Sequence, residues 1–223
     1  MTSHLHPPAH IPTASRWSTW LMVLSTSVLS QLAQATPSLF GYQEAQQNQS
    51  ASFSQWIRVL ERHIREDLPE ADCTATTLNR CHLREWQTFL SGIRGLPLRD
   101  QLQRINAYAN EKRYIIDLEN YGLEDYWAIA REFLYNGGDC EDYALTKLFS
   151  LLWLGFDPEQ LRIVVLQDTN LRVPHAVLAV YDHNEILVMD NQIQQVVDHR
   201  QIVHYVPVYS INEKHWWIHT PVL

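Results

Sequence analysis

The chain runs to 223 residues, 46% hydrophobic and 19% charged, and its 25 acidic residues outnumber 17 basic ones for a formal net charge of −8. That balance excludes nucleic acid as the expected partner, because a polyanion is held by clustered Lys and Arg. Past Ala35 no run reaches the ~18 consecutive apolar residues that a membrane span needs, so no span is expected in the mature chain.

Met1 to Ala35 contains no Asp or Glu and one basic residue, Arg16. Trp17 to Leu32 is largely apolar, and Ala33-Gln34-Ala35 fits the small-x-small rule for cleavage. The segment reads as a secretory signal peptide cut after Ala35, with an uncleaved N-terminal anchor as the alternative. Residues 36–223 then suit one domain with a substantial hydrophobic core.

The first half of that domain reads helical. Phe53, Trp56, Ile57, Leu60 and Ile64 follow the spacing of one buried helix face, with Ser52 or Ser54 as cap. Cys73 and Cys81 follow, close together in the polar stretch Asp72 to His82; exported, they either close a small disulfide loop or stay two thiols. A second helix fits Leu83 to Ser91, burying Trp86, Phe89 and Leu90. A third fits Arg99 to Asn110 with Leu102, Ile105 and Ala109 inward, and a short fourth fits Glu124 to Tyr135. Gly137-Gly138 ends the fourth. The central helix, Cys140 to Leu154, is apolar nearly all round, which marks it as buried. Gly155 caps it and Pro158 prevents continuation.

The second half turns to strands: Leu161 to Gln167, His175 to Tyr181, Glu185 to Asp190 and Val203 to Tyr209, with turn residues at Asp182-His183-Asn184. Helices followed by strands imply an α+β domain, its central helix packed on an antiparallel sheet.

Chemistry concentrates at Gly137-Gly138-Asp139-Cys140-Glu141-Asp142. Cys140 is the odd cysteine of three, and a leftover thiol in an exported protein is either core or reactive. At a helix start it meets free N–H groups and a partial positive charge, which favour thiolate, and its own N–H can help hold an oxyanion. His175 opens one strand, where a neutral imidazole can take the thiol proton. Asp190 closes the next, where it can hold the ring's tautomer. A two-residue turn at Asp182-His183, or a four-residue loop over Tyr181 to Asn184, sets His175 directly beside Asp190 on one face. A three-residue loop sends them to opposite faces unless a bulge intervenes.

Asp139, Glu141 and Asp142 crowd the thiol. As bare anions they oppose its ionisation; they either complement the helix dipole or bind Ca²⁺, whose charge cancels the repulsion. His215 and His219 sit four apart around Trp216-Trp217 without the Glu of a zinc-protease motif, so the segment reads as a terminal strand. Trp127 can offer an indole N–H to an oxyanion or simply fill the core. Ser210 lacks a nucleophile-elbow context.

Gly138-Asp139-Cys140-Glu141-Asp142-Tyr143-Ala144, Pro174-His175-Ala176-Val177-Leu178, Val188-Met189-Asp190-Asn191, and Pro207-Val208-Tyr209-Ser210-Ile211-Asn212 resemble the bacterial transglutaminase-like cysteine proteinases, and among them the periplasmic LapG-type adhesin proteases. Tyr121 to Trp127 resembles that family's segment before the nucleophile, and the likeness spans Trp56 to Trp217. It implies a papain-like or transglutaminase-like fold with Cys140 as nucleophile, His175 as base and Asp190 as orienter. It implies Ca²⁺ at Asp139, Glu141 and Asp142. The implied substrate is the N-terminal region of a large surface adhesin, and the implied inhibitory partner an inner-membrane c-di-GMP receptor that preserves the biofilm. Pro174 before the His and the Cys73, Cys81 pair depart from the family pattern. A transglutaminase or deamidase acting on Gln side chains, or a non-catalytic binding module of the same fold, are the alternative readings.

Overall fold

A computed structural model describes residues 38–48, 53–65 and 68–222. The signal peptide expected over Met1 to Ala35 lies outside the described residues, as does Ser52. Among the described residues no helix is long and apolar enough to cross a membrane.

Among the described residues six α-helices, α1 (Ser54–His63), α2 (Arg80–Ile93), α3 (Leu98–Asn110), α4 (Asp117–Asn120), α5 (Ala130–Asn136) and α6 (Cys140–Leu154), accompany seven strands. The strands are β1 (Tyr42–Asn48), β2 (Leu161–Asp168), β3 (Val173–Asp182), β4 (Glu185–Met189), β5 (Val197–Asp198), β6 (Tyr205–Ile211) and β7 (His215–Pro221). They form one antiparallel sheet in the order β1-β7-β6-β2-β3-β4-β5. The α+β architecture expected from the element order is present.

α6 has the expected bounds, with Gly155 in the left-handed conformation as its C-cap. Leu145, Leu148, Phe149 and Leu151 join Trp56, Trp86, Leu90, Leu102 and Ile105 from α1–α3 in one core against Ile163, Leu178, Leu187 and Met189 of the sheet. The opposite face has its own apolar layer, in which Leu39, Ile202 and Tyr205 cover Val164, Val177, Ala179 and Val188. A sheet covered on both faces explains why β3 and β4 read as nearly continuous apolar runs.

Several expectations are corrected. Ile64 is 78% exposed, because α1 stops at His63; Val59 shares the buried face with Trp56 instead. Ser54 is the first residue of α1 rather than its cap, and Phe53 stands at the N-cap without a side-chain bond. The helix expected over Glu124 to Tyr135 is confined to α5. Residues 125–129 are not helical, because tertiary partners claim their backbone: Asp117 Oδ2 accepts the Tyr126 N–H, Asp142 Oδ1 the Ala128 N–H, and Arg62 donates to the Trp127 carbonyl. Glu132 then accepts the Ile129 N–H and starts α5.

The hairpin register also differs. Leu178 faces Met189 and Asp182 faces Glu185, leaving His183 and Asn184 as the turn, with His183 at φ 52°. This lies two residues beyond the register that would set His175 directly opposite Asp190. A shift of two preserves the pleat, so both side chains keep a common face and meet diagonally. Cys73 and Cys81 are joined as a disulfide that ties the loop before α2 to the helix's first turn.

Candidate active site

The approach to α6 is shaped by two glycines. Gly137 has φ 79°, and a Cβ there would collide with the Arg113 carbonyl; one on Gly138 would collide with the Asp142 carboxylate. Stripped of side chains, this turn pairs with an upstream segment: the Gly138 N–H donates to Arg113 O at 3.2 Å, and the Ile115 N–H to Gly138 O at 2.9 Å. Residues 113–115 thus run beside the nucleophile's turn, with Tyr114 bridged to Gly138.

Cys140 is the first residue of α6 and the free cysteine among the described residues. Its thiol donates to Glu141 Oε2 at 3.2 Å. Burial, the Glu141 carboxylate and Asp139 push the thiol far above its ordinary value, while a hydrogen bond from the Ala176 N–H pulls the other way. The helix-start field alone is therefore too weak to ionise this sulfur against burial and two carboxylates. Ala176 follows His175 on β3.

His175 is buried, and its Nε2 lies 2.9 Å from Asp190 Oδ1. Asp190 also accepts the Tyr205 hydroxyl at Oδ2 (2.6 Å) and the Gln192 N–H at Oδ1 (2.9 Å). Burial would raise the Asp190 carboxyl, but the His175 hydrogen bond, assisted by Tyr205 and Gln192, holds it below its ordinary value. An ionised carboxylate only accepts, so the network assigns the proton to His175 Nε2 and leaves the lone pair on Nδ1. The Gln192 side-chain amide lies 3.4 Å from Nδ1 on that open side, and the Tyr205 ring stands edge-on to the imidazole at 5.6 Å. Asn110 Nδ2 donates to the Asp190 carbonyl at 2.9 Å and pins the strand end from α3. Sequence reasoning missed Gln192, Tyr205 and Asn110. The register offers the signal for Gln192: extended past the end of β4 at Met189, it would bring Gln192 level with His175.

The acids form a larger group than the motif suggested. Ligand oxygens of Asp117, Asp139 and Asp142 lie within 4.8 Å of one another, as do those of Asp117, Asp125 and Glu141. Asp117 and Asp125 were not expected; Asp117 is the first residue of α4, and Asp125 lies in the non-helical segment that replaces the first half of the expected fourth helix. Asp142 differs from the other acids. Its Oδ1 accepts the Ala128 N–H at 2.7 Å and its Oδ2 the Asp139 N–H at 3.3 Å, so it clasps the upstream segment to the helix start. Asp117 Oδ1 and Asp139 Oδ1 are buried without a hydrogen-bond partner. Burial, reinforced by the neighbouring carboxylates, pushes Asp117 to about 6, Glu141 to about 9 and Asp142 to about 10. Hard oxygen donors this close, two of them unpartnered, have the chemistry of a Ca²⁺ site.

The two other histidines singled out in the sequence lie in the sheet. His215 and His219 lie on β7, as expected, and His219 Nε2 meets Ser210 Oγ at 2.9 Å in the interior. Trp127 packs in the main core beside Trp56, and its carbonyl accepts from Arg62.

The family model of the bacterial transglutaminase-like cysteine proteinases matches residues 73–221. Among solved structures, Legionella pneumophila LapG is similar at 30% identity over 61% of this chain and 77% of its own, with a TM-score of 0.56. Its calcium-bound form is similar at 28% identity over 74% of this chain and 86% of its own, with a TM-score of 0.57. The EGTA-treated form is similar at 30% identity over 61% and 75%, with a TM-score of 0.56. A comparison with curated proteins gives no match.

Proposed function

We propose a reaction for a chain that belongs to the bacterial transglutaminase-like cysteine proteinase family: calcium-dependent cleavage of a peptide bond by the Cys140 thiolate. The observation that carries this reading is the buried His175–Asp190 pair, with Nε2 2.9 Å from Oδ1 and Nδ1 turned to the Gln192 amide, on the strand whose Ala176 N–H acts on the Cys140 thiol. His175 Nδ1 takes the thiol proton as the sulfur bonds to the scissile carbonyl carbon. The Cys140 N–H, at the free end of α6, meets the oxyanion. The imidazolium then protonates the leaving amine as the carbon–nitrogen bond breaks. A water, deprotonated by the ring, attacks the acyl-enzyme and releases the sulfur. Asp190 stays ionised and orients the ring throughout. The Trp127 indole N–H is the second donor proposed for the oxyanion.

Asp117, Asp125, Asp139 and Glu141 would hold the calcium ion, with Asp142 keeping the two segments together behind them. When bound, the ion supplies positive charge that offsets the carboxylates beside the thiol. This chain's own part is to bring unpartnered oxygens to one place and to bury them. The calcium-bound form of the similar LapG structure supports the assignment.

The substrate in this proposal is the N-terminal region of a large surface adhesin, cut in the periplasm after export through the Met1 to Ala35 signal. An inner-membrane c-di-GMP receptor would sequester the enzyme and preserve the biofilm. Family membership supports these assignments. The test is incubation of the mature chain with candidate adhesin N-terminal regions, with and without calcium, alongside Cys140→Ala. Cleavage that needs both the thiol and calcium is expected. Ammonia release from Gln side chains without chain cleavage would replace this reading with the deamidase one, and equal cleavage by the Ala variant would remove Cys140 as nucleophile.

A further inference from the structure

Tyr114 is 53% exposed although it lies beside the turn that carries the nucleophile. Its backbone is bridged to Gly138, two residues ahead of Cys140, through the bonds that Arg113 and Ile115 make with that glycine. Its ring lies over the Tyr143 ring, with centroids 6.3 Å apart and planes 22° from parallel. Tyr143 stands three residues after Cys140 on α6, so the two share one side of the helix. Tyr143 is itself fixed: its hydroxyl donates to the Lys112 carbonyl at 2.6 Å, and its ring meets Phe133 edge-on at 4.6 Å. Partial burial, followed by Cys140, Asp139 and Glu141, raises the pKa of the Tyr114 hydroxyl, which agrees with a side chain facing the nucleophile's turn.

The neighbours of Tyr114 in the chain point elsewhere. Arg113 and Ile115 line a cleft against the disulfide loop at Cys73 and Ala75. Alternate side chains of an extended segment take opposite sides, so Tyr114 and Ile116 share the other one. Ile116 is 45% exposed. An aromatic ring and a branched aliphatic chain on hydrogen-bonded backbone are ordered before anything binds. An apolar partner therefore gains from burying them at little cost in conformational freedom.

The proposed chemistry decides which part of a substrate reaches them. The leaving amine must lie at His175, on β3, because the imidazole protonates it. The Ala176 N–H acts on the Cys140 thiol from that same strand. Residues 113–116 flank Cys140 through Gly138 and Tyr143 instead, and so meet the acyl half.

We propose that Tyr114 is a specificity-determining residue: with Ile116 it walls the acyl side of the cleft at Cys140 and accepts an apolar side chain from the residues just ahead of the scissile bond. The inference rests on the cleavage reading above, but its test cuts no peptide.

The test is the rate at which blocked dipeptidyl chloromethyl ketones alkylate Cys140 in the presence of calcium, since these reagents place the acyl half of a substrate on the thiol. Phe-Ala and Ala-Phe reagents are compared with Glu-Ala and Ala-Glu, and ratios taken within one protein cancel any change in the thiol itself. At one of the two positions the apolar reagent is expected to react about tenfold faster than its acidic counterpart. Tyr114→Arg should reverse that preference. Tyr114→Ser, the second variant should the first fail to fold, should bring the ratio close to one. Equal rates in the unsubstituted protein, or a preference that neither variant moves, would overturn the proposal and leave Cys140 as nucleophile if iodoacetamide still labels it. A thiol that no reagent labels, iodoacetamide included, would remove the nucleophile and this inference with it.

Discussion

Lys147, on α6, is fully buried and its Nζ has no hydrogen-bond partner, so Lys147→Met is expected to stabilise the fold. Burial depresses the Lys147 ammonium from 10.5 to about 7. A depression of about 3.5 units corresponds to about 5 kcal/mol of differential interaction at 1.36 kcal/mol per unit. Between pH ~7 and ~10.5 the unfolded chain holds the proton that the folded chain releases, so lysine's contribution to stability rises with pH across that window. Well below pH ~7 both states carry the charge and the full cost of burying it applies; well above ~10.5 neither does. Met keeps the volume and removes the charge, so the variant should gain up to about 5 kcal/mol at pH 6.5 and nearly nothing at pH 10.5. Urea unfolding of the two proteins at both pH values, with unchanged m-values, measures the difference. A lower midpoint for the variant at pH 6.5, or an equal gain at both pH values, would refute the buried-charge argument.

Three further outcomes are expected. Chelating calcium should slow alkylation of Cys140 by iodoacetamide at neutral pH, and calcium should restore it, since burial and the neighbouring carboxylates alone hold the thiol protonated. Tyr205→Phe removes a hydrogen bond to the buried Asp190 carboxylate; a loss of about 1.5–3 kcal/mol for a bond to a charged group should appear as at least a tenfold fall in kcat/KM. Gly137→Ala combines a positive φ with a collision at the Arg113 carbonyl, and should cost about 1–3 kcal/mol in denaturant unfolding.

The parts of this molecule legible in its sequence are those governed by local periodicity. α6 was readable to its end residues because its apolar positions run from Ala144 to Leu154 and a glycine able to adopt φ 97° follows. The His175–Asp190 pairing was legible in face though not in register, since the pleat depends on parity alone while the turn position depends on which residue accepts φ 52°. β1 was not legible. Its residues Tyr42–Asn48 are mostly polar and carry no alternating apolar signal, because a sheet-edge strand is held by its backbone ladder to β7. Ion pairing adds to that ladder: Glu44 meets Arg162 at 2.6 Å, a contact across most of the chain's length that no local pattern encodes. Asp117 and Asp125 were missed for the same reason. Each looks like an ordinary turn acid until the backbone of residues 125–129 is given to tertiary partners rather than to a helix.

The clasp made by Asp142 has a consequence for how such sites can be moved or minimised. With one carboxylate oxygen on Ala128 and the other on Asp139, and with Gly138 laddered to Arg113 and Ile115, the hexapeptide around the thiol has no independent geometry. Grafting Gly137 to Asp142 onto a foreign helical scaffold would carry over the reactive atom while leaving behind what shapes its surroundings. The turn keeps its own contacts only from Arg113 through Asp142, and even that unit would present an inert cysteine on an acidic helix without His175 and Asp190 from the sheet.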